Sequence, residues 1–227
     1  MVTPMTMTAI PPEVVTETAI EPEPRVLLHD VSWQAYEQIG EALRDRPALR
    51  LTYDRGSLEI KTSSARHEML KQRLGRFLET LVEEHNLSLL PGGFATFKRS
   101  DLEKGLEPDQ CYWIANEPRM RGRDDWDAAS DPPPDLVIEL EIFRGAVPRL
   151  SIYSELAVPE VWRFDGQSLQ VLLLQPDGRY QVAEKSSAFS AMPIAEIPRF
   201  LKLEEHTGYL CVVREFRAWV RACIAEK

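Results

Sequence analysis

The sequence predicts an α/β protein: a mixed central β-sheet flanked by helices, with a helix and hairpin before it and a hairpin and helix after it. Three patterns carry that expectation. A long amphipathic helix over 64–86 places Leu70, Leu74, Phe77, Leu78 and Leu81 on one stripe, with Lys71, Arg73, Arg76 and Glu79 off it. Two apolar strands follow, at 110–114 and 136–142. A helix over 147–156 then separates the second strand from a further one at 160–164, and a helical crossover implies a mixed sheet.

The remaining elements follow from turn chemistry. Residues 1–25 are rich in Thr, Pro and Glu without apolar periodicity and read as a disordered leader, leaving 26–227 as one domain. Ser32 caps a helix running to Leu43, with Trp33, Tyr36, Ile39 and Leu43 at helical spacing. Residues 49–53 and 57–61 alternate on both sides of Asp54-Arg55-Gly56 and predict a β-hairpin. Asn86 is a left-handed stop for the long helix, and Pro91-Gly92-Gly93 is a turn between short apolar segments at 87–90 and 94–97. Residues 116–134, with Arg119, Arg121, Arg123 and a proline triplet, read as a loop, in which the arginines are a solvated cluster or a phosphate contact. Pro148 fits the first turn of its helix. A second hairpin, 168–174 with 179–184, turns at Pro176-Asp177-Gly178, and one long helix spans 207–225.

Composition narrows the function classes. Lys and Arg number 27 against 36 Asp and Glu, a net charge of −9. Such a chain does not coat nucleic acid by overall charge, although a locally basic groove remains compatible with it. Cys111, Cys211 and Cys223 are odd in number and widely spaced, which predicts buried thiols in a reducing compartment. No run approaches the roughly 18 apolar residues of a membrane span, and the start of the chain lacks the basic and apolar regions of a signal peptide. The expected location is the cytoplasm, with no membrane partner.

The acids are the informative residues. Glu139 and Glu141 lie two apart in an otherwise apolar strand and so share a face, opposite Ile138, Leu140 and Ile142. Carboxylates there are costly unless paired, protonated or bound to metal. Asp109 opens the neighbouring strand, and Glu68 lies in the first turns of the long helix beside His67. The helix dipole favours Glu68 there in any case, and His67 falls on the apolar stripe, where a histidine is more often structural. Hard oxygen ligands suit Mg²⁺ or Mn²⁺ rather than zinc. The alternative is a structural network in which Glu139 and Glu141 pair with Arg144, Arg149 or another base. The chain has no phosphate-binding loop, dinucleotide fingerprint, zinc-protease motif or nucleophile elbow.

The strings LTYDRGSLEI, HEMLKQRLGRFLETL, GLEPDQCYWI, PPDLVIELEI and IYSELAVPEVWRFDG, in that order between Val26 and Leu201, resemble the Uma-two family of the PD-(D/E)XK nuclease superfamily. The resemblance implies a restriction-endonuclease-like core of helix, three strands, helix and strand. It also implies Asp109 and Glu139 as metal-binding acids and Glu68, beside His67, as the acid of the first helix. Glu141 stands where the superfamily pattern has lysine, and Arg149 occupies the place of a substitute base from the next helix. Phe143-Arg144-Gly145-Ala146 replaces a Ser/Thr-rich turn, and Pro148 stands where an acid is common.

The function expected from these features is Mg²⁺- or Mn²⁺-dependent hydrolysis of DNA. Glu68, Asp109 and Glu139 would ligate the ion, Glu141 would ligate it or orient water, and Arg149 would stabilise phosphate charge. The alternative is a catalytically degraded nuclease fold that binds DNA or protein. A third reading makes the acids structural and uses Tyr209, Val212, Val213, Phe216, Trp219 and Val220 as a dimer surface, and a homodimer is the expected assembly.

Overall fold

The structure, a computed structural model, describes residues 23–46, 48–93, 96–123, 126–142 and 145–226, with Glu205 described by its backbone alone. Strand β1 (Arg25–Leu28) opens the described fold. The expected leader therefore gives way to structure within its last three residues, and its other residues, 1–22, lie outside the described ones. Helix α1 (Trp33–Ala42) starts where Ser32 accepts a hydrogen bond from the Ala35 N–H. The hairpin forms from β2 (Leu49–Asp54) and β3 (Ser57–Thr62). Its turn residues Arg55 and Gly56 both have positive φ, the backbone that a two-residue hairpin loop requires.

Helix α2 (Ala65–Glu84) is capped by Ser64, and Asn86 follows it at φ 52°, the left-handed stop its sequence predicts. After it come β4 (Leu90–Pro91), β5 (Phe97–Arg99), β6 (Lys104–Leu106) and β7 (Gln110–Trp113). Of the expected apolar segment at 94–97, Phe97 opens β5, while residues 94 and 95 lie outside the described residues. The expected loop contains a short helix, α3 (Glu117–Met120). There Arg121 pairs with Glu117 at 2.7 Å and Arg123 pairs with Asp131, so two of the three arginines are engaged within their own segment. Strand β8 (Leu136–Leu140), helix α4 (Arg149–Glu155) and strand β9 (Glu160–Phe164) follow. Pro148 stands one residue before the helix rather than within its first turn. The C-terminal hairpin is β10 (Leu169–Leu174) with β11 (Tyr180–Ala183).

The expected terminal helix forms, and a further helix precedes it. A 3₁₀ turn (Ile194–Glu196) leads into α5 (Pro198–Thr207), which breaks at Gly208, φ 80°, before α6 (Tyr209–Ala225). The helix expected from residue 207 is thus α6, and the proline-led α5 precedes it.

The strands form two sheets. The first is antiparallel, ordered β1-β3-β2-β6-β5. The second is mixed, ordered β11-β10-β9-β8-β7-β4, with one parallel pair, β8 and β9, joined through α4. Helix α2, strands β4, β7 and β8, helix α4 and strand β9 supply the expected core order, while β5 and β6 leave it to extend the first sheet. Alternation divides the second sheet cleanly. Leu136, Ile138 and Leu140 of β8 and Trp162 and Phe164 of β9 pack with α2, α5 and α6, where Phe77 stacks on Phe216 at 4.5 Å. Val137 and Val161, on the other face, meet α4 and the first sheet through Ile152, Tyr153, Phe97 and Leu106. The first sheet's far side carries Leu51, Tyr53 and Leu58 against Tyr36 of α1. Val212, Val213, Phe216 and Val220 of α6 are buried in this core, so the stripe read as a dimer surface is an internal one; of that set, Tyr209 is exposed. Among the described residues no helix is long and apolar enough to cross a membrane.

Gly105 of β6 lies directly under the Tyr36 ring, where a Cβ would overlap ring atoms. That ring is held by stacking on Tyr53 at 4.7 Å and cannot retreat cheaply. Gly105→Ala is expected to lower unfolding stability by about 1–3 kcal/mol, the usual cost of overpacking, as read from urea denaturation. An unchanged midpoint would mean that α1 is free to shift.

Candidate active site

Two carboxylates form the centre, Glu139 within β8 and Asp109 immediately before β7. β7 and β8 are antiparallel with Gln110 opposite Ile138, and one further step in that register sets Asp109 opposite Glu139. Facing residues of an antiparallel pair project to the same side. Both acids are buried, at 4% and 7% exposure. Asp109 Oδ2 accepts the Leu140 N–H at 2.8 Å, and Oδ1 lies 2.9 Å from His67 Nε2. His67 is fully buried, and its Nδ1 is 3.2 Å from Glu23 Oε1. Glu23 also accepts the Ser64 N–H and meets Lys61 Nζ at 3.3 Å, tying the start of the described chain to the tip of α2.

Burial opposes the charged form of His67, but the hydrogen bond to Asp109 and the carboxylates of Asp109 and Glu23 on either side of the ring outweigh it and lift its pKa from 6.5 to about 9. Burial likewise opposes ionisation of Glu23 and Asp109. The His67 hydrogen bond, joined by the Ser64 N–H and Lys61 at Glu23 and by the charges of His67, Lys61 and Arg149 at Asp109, outweighs it, holding Glu23 at about 2 and Asp109 below the usual carboxylate range.

Glu139 meets a different partner. Arg149, the first residue of α4, donates Nε to Oε2 and Nη2 to Oε1, each at 2.8 Å, and Tyr153 one turn later donates its hydroxyl to Oε1. Arg149 also donates to Thr52 Oγ1 at 2.7 Å and to the Glu107 carbonyl at 2.6 Å. Burial pushes the Glu139 carboxyl above its ordinary value and Asp109 adds to that, against the downward pull of Arg149. Arg149 itself is held well above its ordinary value: burial works against its charge, and Glu139 more than restores it.

The first sheet supplies the opposite wall. Arg50 and Thr52 of β2 pair with Lys61 and Glu59 of β3, and all four project away from α1 into a cavity of about 410 Å³. Glu59 Oε2 accepts the N–H groups of Ala146 and Val147, at 2.9 and 3.0 Å, and so fixes the approach to α4. Glu139, Glu141, Arg149 and Arg163 line the same cavity, giving four cations and three acids in its lining.

The candidate residues therefore separate. Asp109 with His67, and Glu139 with Arg149, are brought together. Glu141 shares the cavity with Glu139 but lies just beyond the end of β8, paired with Arg163 at 3.6 Å. Glu68 turns to Lys71 at 2.8 Å and Arg50 at 3.9 Å, with its side chain 36% exposed. Among the described residues no group of three His, Cys, Asp or Glu side chains is arranged to hold a metal ion. Of the bases named for a structural network, Arg149 is a partner of Glu139, while Arg144, with Phe143, lies outside the described residues. Sequence reasoning missed Glu23, Arg50, Thr52, Glu59, Lys61, Glu107 and Tyr153. The polar side of the hairpin alternation was the available signal for four of them.

Two predictions follow from this geometry. In metal-free buffer the raised pKa of His67 means its contribution to stability is complete below pH 6.5 and lost as pH rises through about 9. Glu23 and Asp109, both depressed, contribute above about pH 4.5 and lose that contribution as pH falls. Unfolding free energy should thus fall by about 3 kcal/mol from pH 6.5 to above 9, and His67→Gln should flatten that alkaline slope. A slope unchanged by the substitution would show that His67 is not held charged. Arg149→Met, which strands Glu139, should cost about 3–5 kcal/mol. Adding Glu139→Gln should recover part of it in a double-mutant cycle followed by urea.

Comparison with curated proteins gives no match. The Uma2 family model, described as putative restriction endonuclease, matches residues 33–200, from the first residue of α1 into α5. The two sheets and their flanking helices agree with a restriction-endonuclease-like fold. With both central acids inside the matched span, the chain belongs to the Uma2 putative restriction endonuclease family.

Proposed function

We propose that the protein hydrolyses phosphodiester bonds in DNA with Mg²⁺ or Mn²⁺ held by Asp109 and Glu139. The observation that supports this reading is the pair of buried carboxylates at facing strand positions, beside a cavity whose lining carries four cations. The donor set fits: Mg²⁺ commonly takes one or two carboxylates and completes its shell with water and substrate phosphate. Of about four acceptor sites on a carboxylate, Asp109 uses two and Glu139 three, so each keeps room for an ion. An ion bound there would neutralise charge on the scissile phosphate and make a water more acidic.

The chain's own residues do the rest. His67, held between Asp109 and Glu23, orients the Asp109 carboxylate. Arg149 keeps its proton at any working pH, so it stabilises charge on the phosphate and does not take the proton from water. Lys61 and Arg163 give a local attraction for the phosphate backbone that the net charge of −9 hides. Glu141, in the same lining, orients a water by accepting its hydrogen bond.

A second reading is favoured by one contact. Arg149 occupies both oxygens of Glu139, which suits a nuclease fold that binds DNA without turnover. Nicking of supercoiled plasmid with each ion decides between them. The native chain should cut, and Asp109→Asn or Glu139→Gln should reduce the rate by about a hundredfold or more, the scale for removing one electrostatic stabiliser. No cutting by the native chain with either ion, and no heat on titration with Mn²⁺, would leave the binding reading in its place.

A further inference from the structure

On the opposite face of the second sheet from Glu139 lies a groove of about 670 Å³ between α2 and α5. Arg66 and Arg73 border it from α2, Lys202 and Glu204 border it from α5, and Phe164 of β9 also lines it. Arg73 pairs with Glu204 at 2.5 Å, whereas Arg66 and Lys202 are exposed and make no ion pair among the described residues. Three cations against one acid leave the groove at +2 on a chain of net charge −9, a local reversal that has to favour an anionic occupant.

The groove adjoins the active-site cavity along the chain. Arg163 lines the cavity and Phe164, the next residue, lines the groove, on opposite faces of one strand. The two depressions therefore lie back to back across the sheet near the ends of β8 and β9, where the Glu141 N–H bonds to the Phe164 carbonyl. A substrate that is a polymer extends beyond the bond being cut, and its phosphates supply the anions.

We propose that this groove binds the sugar–phosphate backbone of DNA flanking the cavity, through Arg66 and Lys202. The proposal rests on the reading of DNA as substrate and is tested by binding alone. Fluorescence anisotropy of a labelled duplex in EDTA, over a series of salt concentrations, is measured for the native chain and for Arg66→Gln/Lys202→Gln. Arg46→Gln/Arg179→Gln, which removes the same charge from exposed sites elsewhere, is the control. Each lost phosphate contact lowers the slope of log affinity against log salt by about 0.9, so the groove variant should lose about 2 and the control almost nothing.

Equal slopes for the two variants, or no binding by the native chain, would overturn the proposal. Displacement of the duplex by polyglutamate as readily as by unlabelled DNA would overturn it too, assigning the groove to an acidic peptide. A chain that binds with the expected slopes yet cuts nothing keeps the groove and loses the hydrolysis. A chain that cuts plasmid with slopes indifferent to Arg66 and Lys202 does the reverse.

Discussion

An ionised carboxylate inside a protein survives only if donors surround it, and this molecule has to satisfy two of them side by side. The solution divides the labour between layers. Asp109 takes a backbone N–H from its own sheet and a charged histidine from the tip of α2. Glu139 takes a guanidinium and a phenol from α4. Each acid thus pins a different helix to the sheet, and the two helices pack on opposite faces. The positions of α2 and α4 relative to the strands are consequences of that satisfaction as much as of apolar packing.

The hairpin of the first sheet is the other half of the device. Its apolar residues face α1 and its polar residues face the acids, so a single alternating pattern builds both a core and a wall. Glu59 holds the backbone before α4, while Thr52 holds the arginine at its first turn. A one-residue slip in β2 against β3 would exchange the two faces, exposing Tyr53 and Leu51 and withdrawing the wall. The tight Arg55-Gly56 turn excludes that slip.

These relations explain what could be read from the chain. Long, strongly periodic segments such as α2 and the hairpin were legible because alternation and helical stripes are properties of the residues themselves. Strands of two or three residues, β4 to β6, carry too few side chains to show a period, and their pairing is decided by sheets formed elsewhere. At the tip of α2, Glu68 resembles a ligand by type and His67 a core residue by position. Neighbours on a helix point about 100° apart, so the residue on the buried stripe, His67, is the one that reaches Asp109. Glu23 was hidden because its partners lie about forty residues away and its neighbours have the composition of a solvated leader. Burial of a charge depends on what arrives next to it, and no local pattern records that.

The arginine at position 149 shows how stability and chemistry are coupled here. Its fork reaches Thr52 in the first sheet, the Glu107 carbonyl, and both oxygens of Glu139 in the second sheet, a set that the three donors of a lysine ammonium could not match in direction. If Arg149 turned to a substrate phosphate, Glu139 would keep only Tyr153, at a buried position where its charge is already disfavoured. That movement is affordable only when another cation takes the arginine's place. On the proposed reading, therefore, release of Arg149 to the phosphate and arrival of a cation at Glu139 are linked halves of one equilibrium, each favouring the other. The pairing that makes the resting site appear closed is then the same one that would make its opening depend on both metal and DNA.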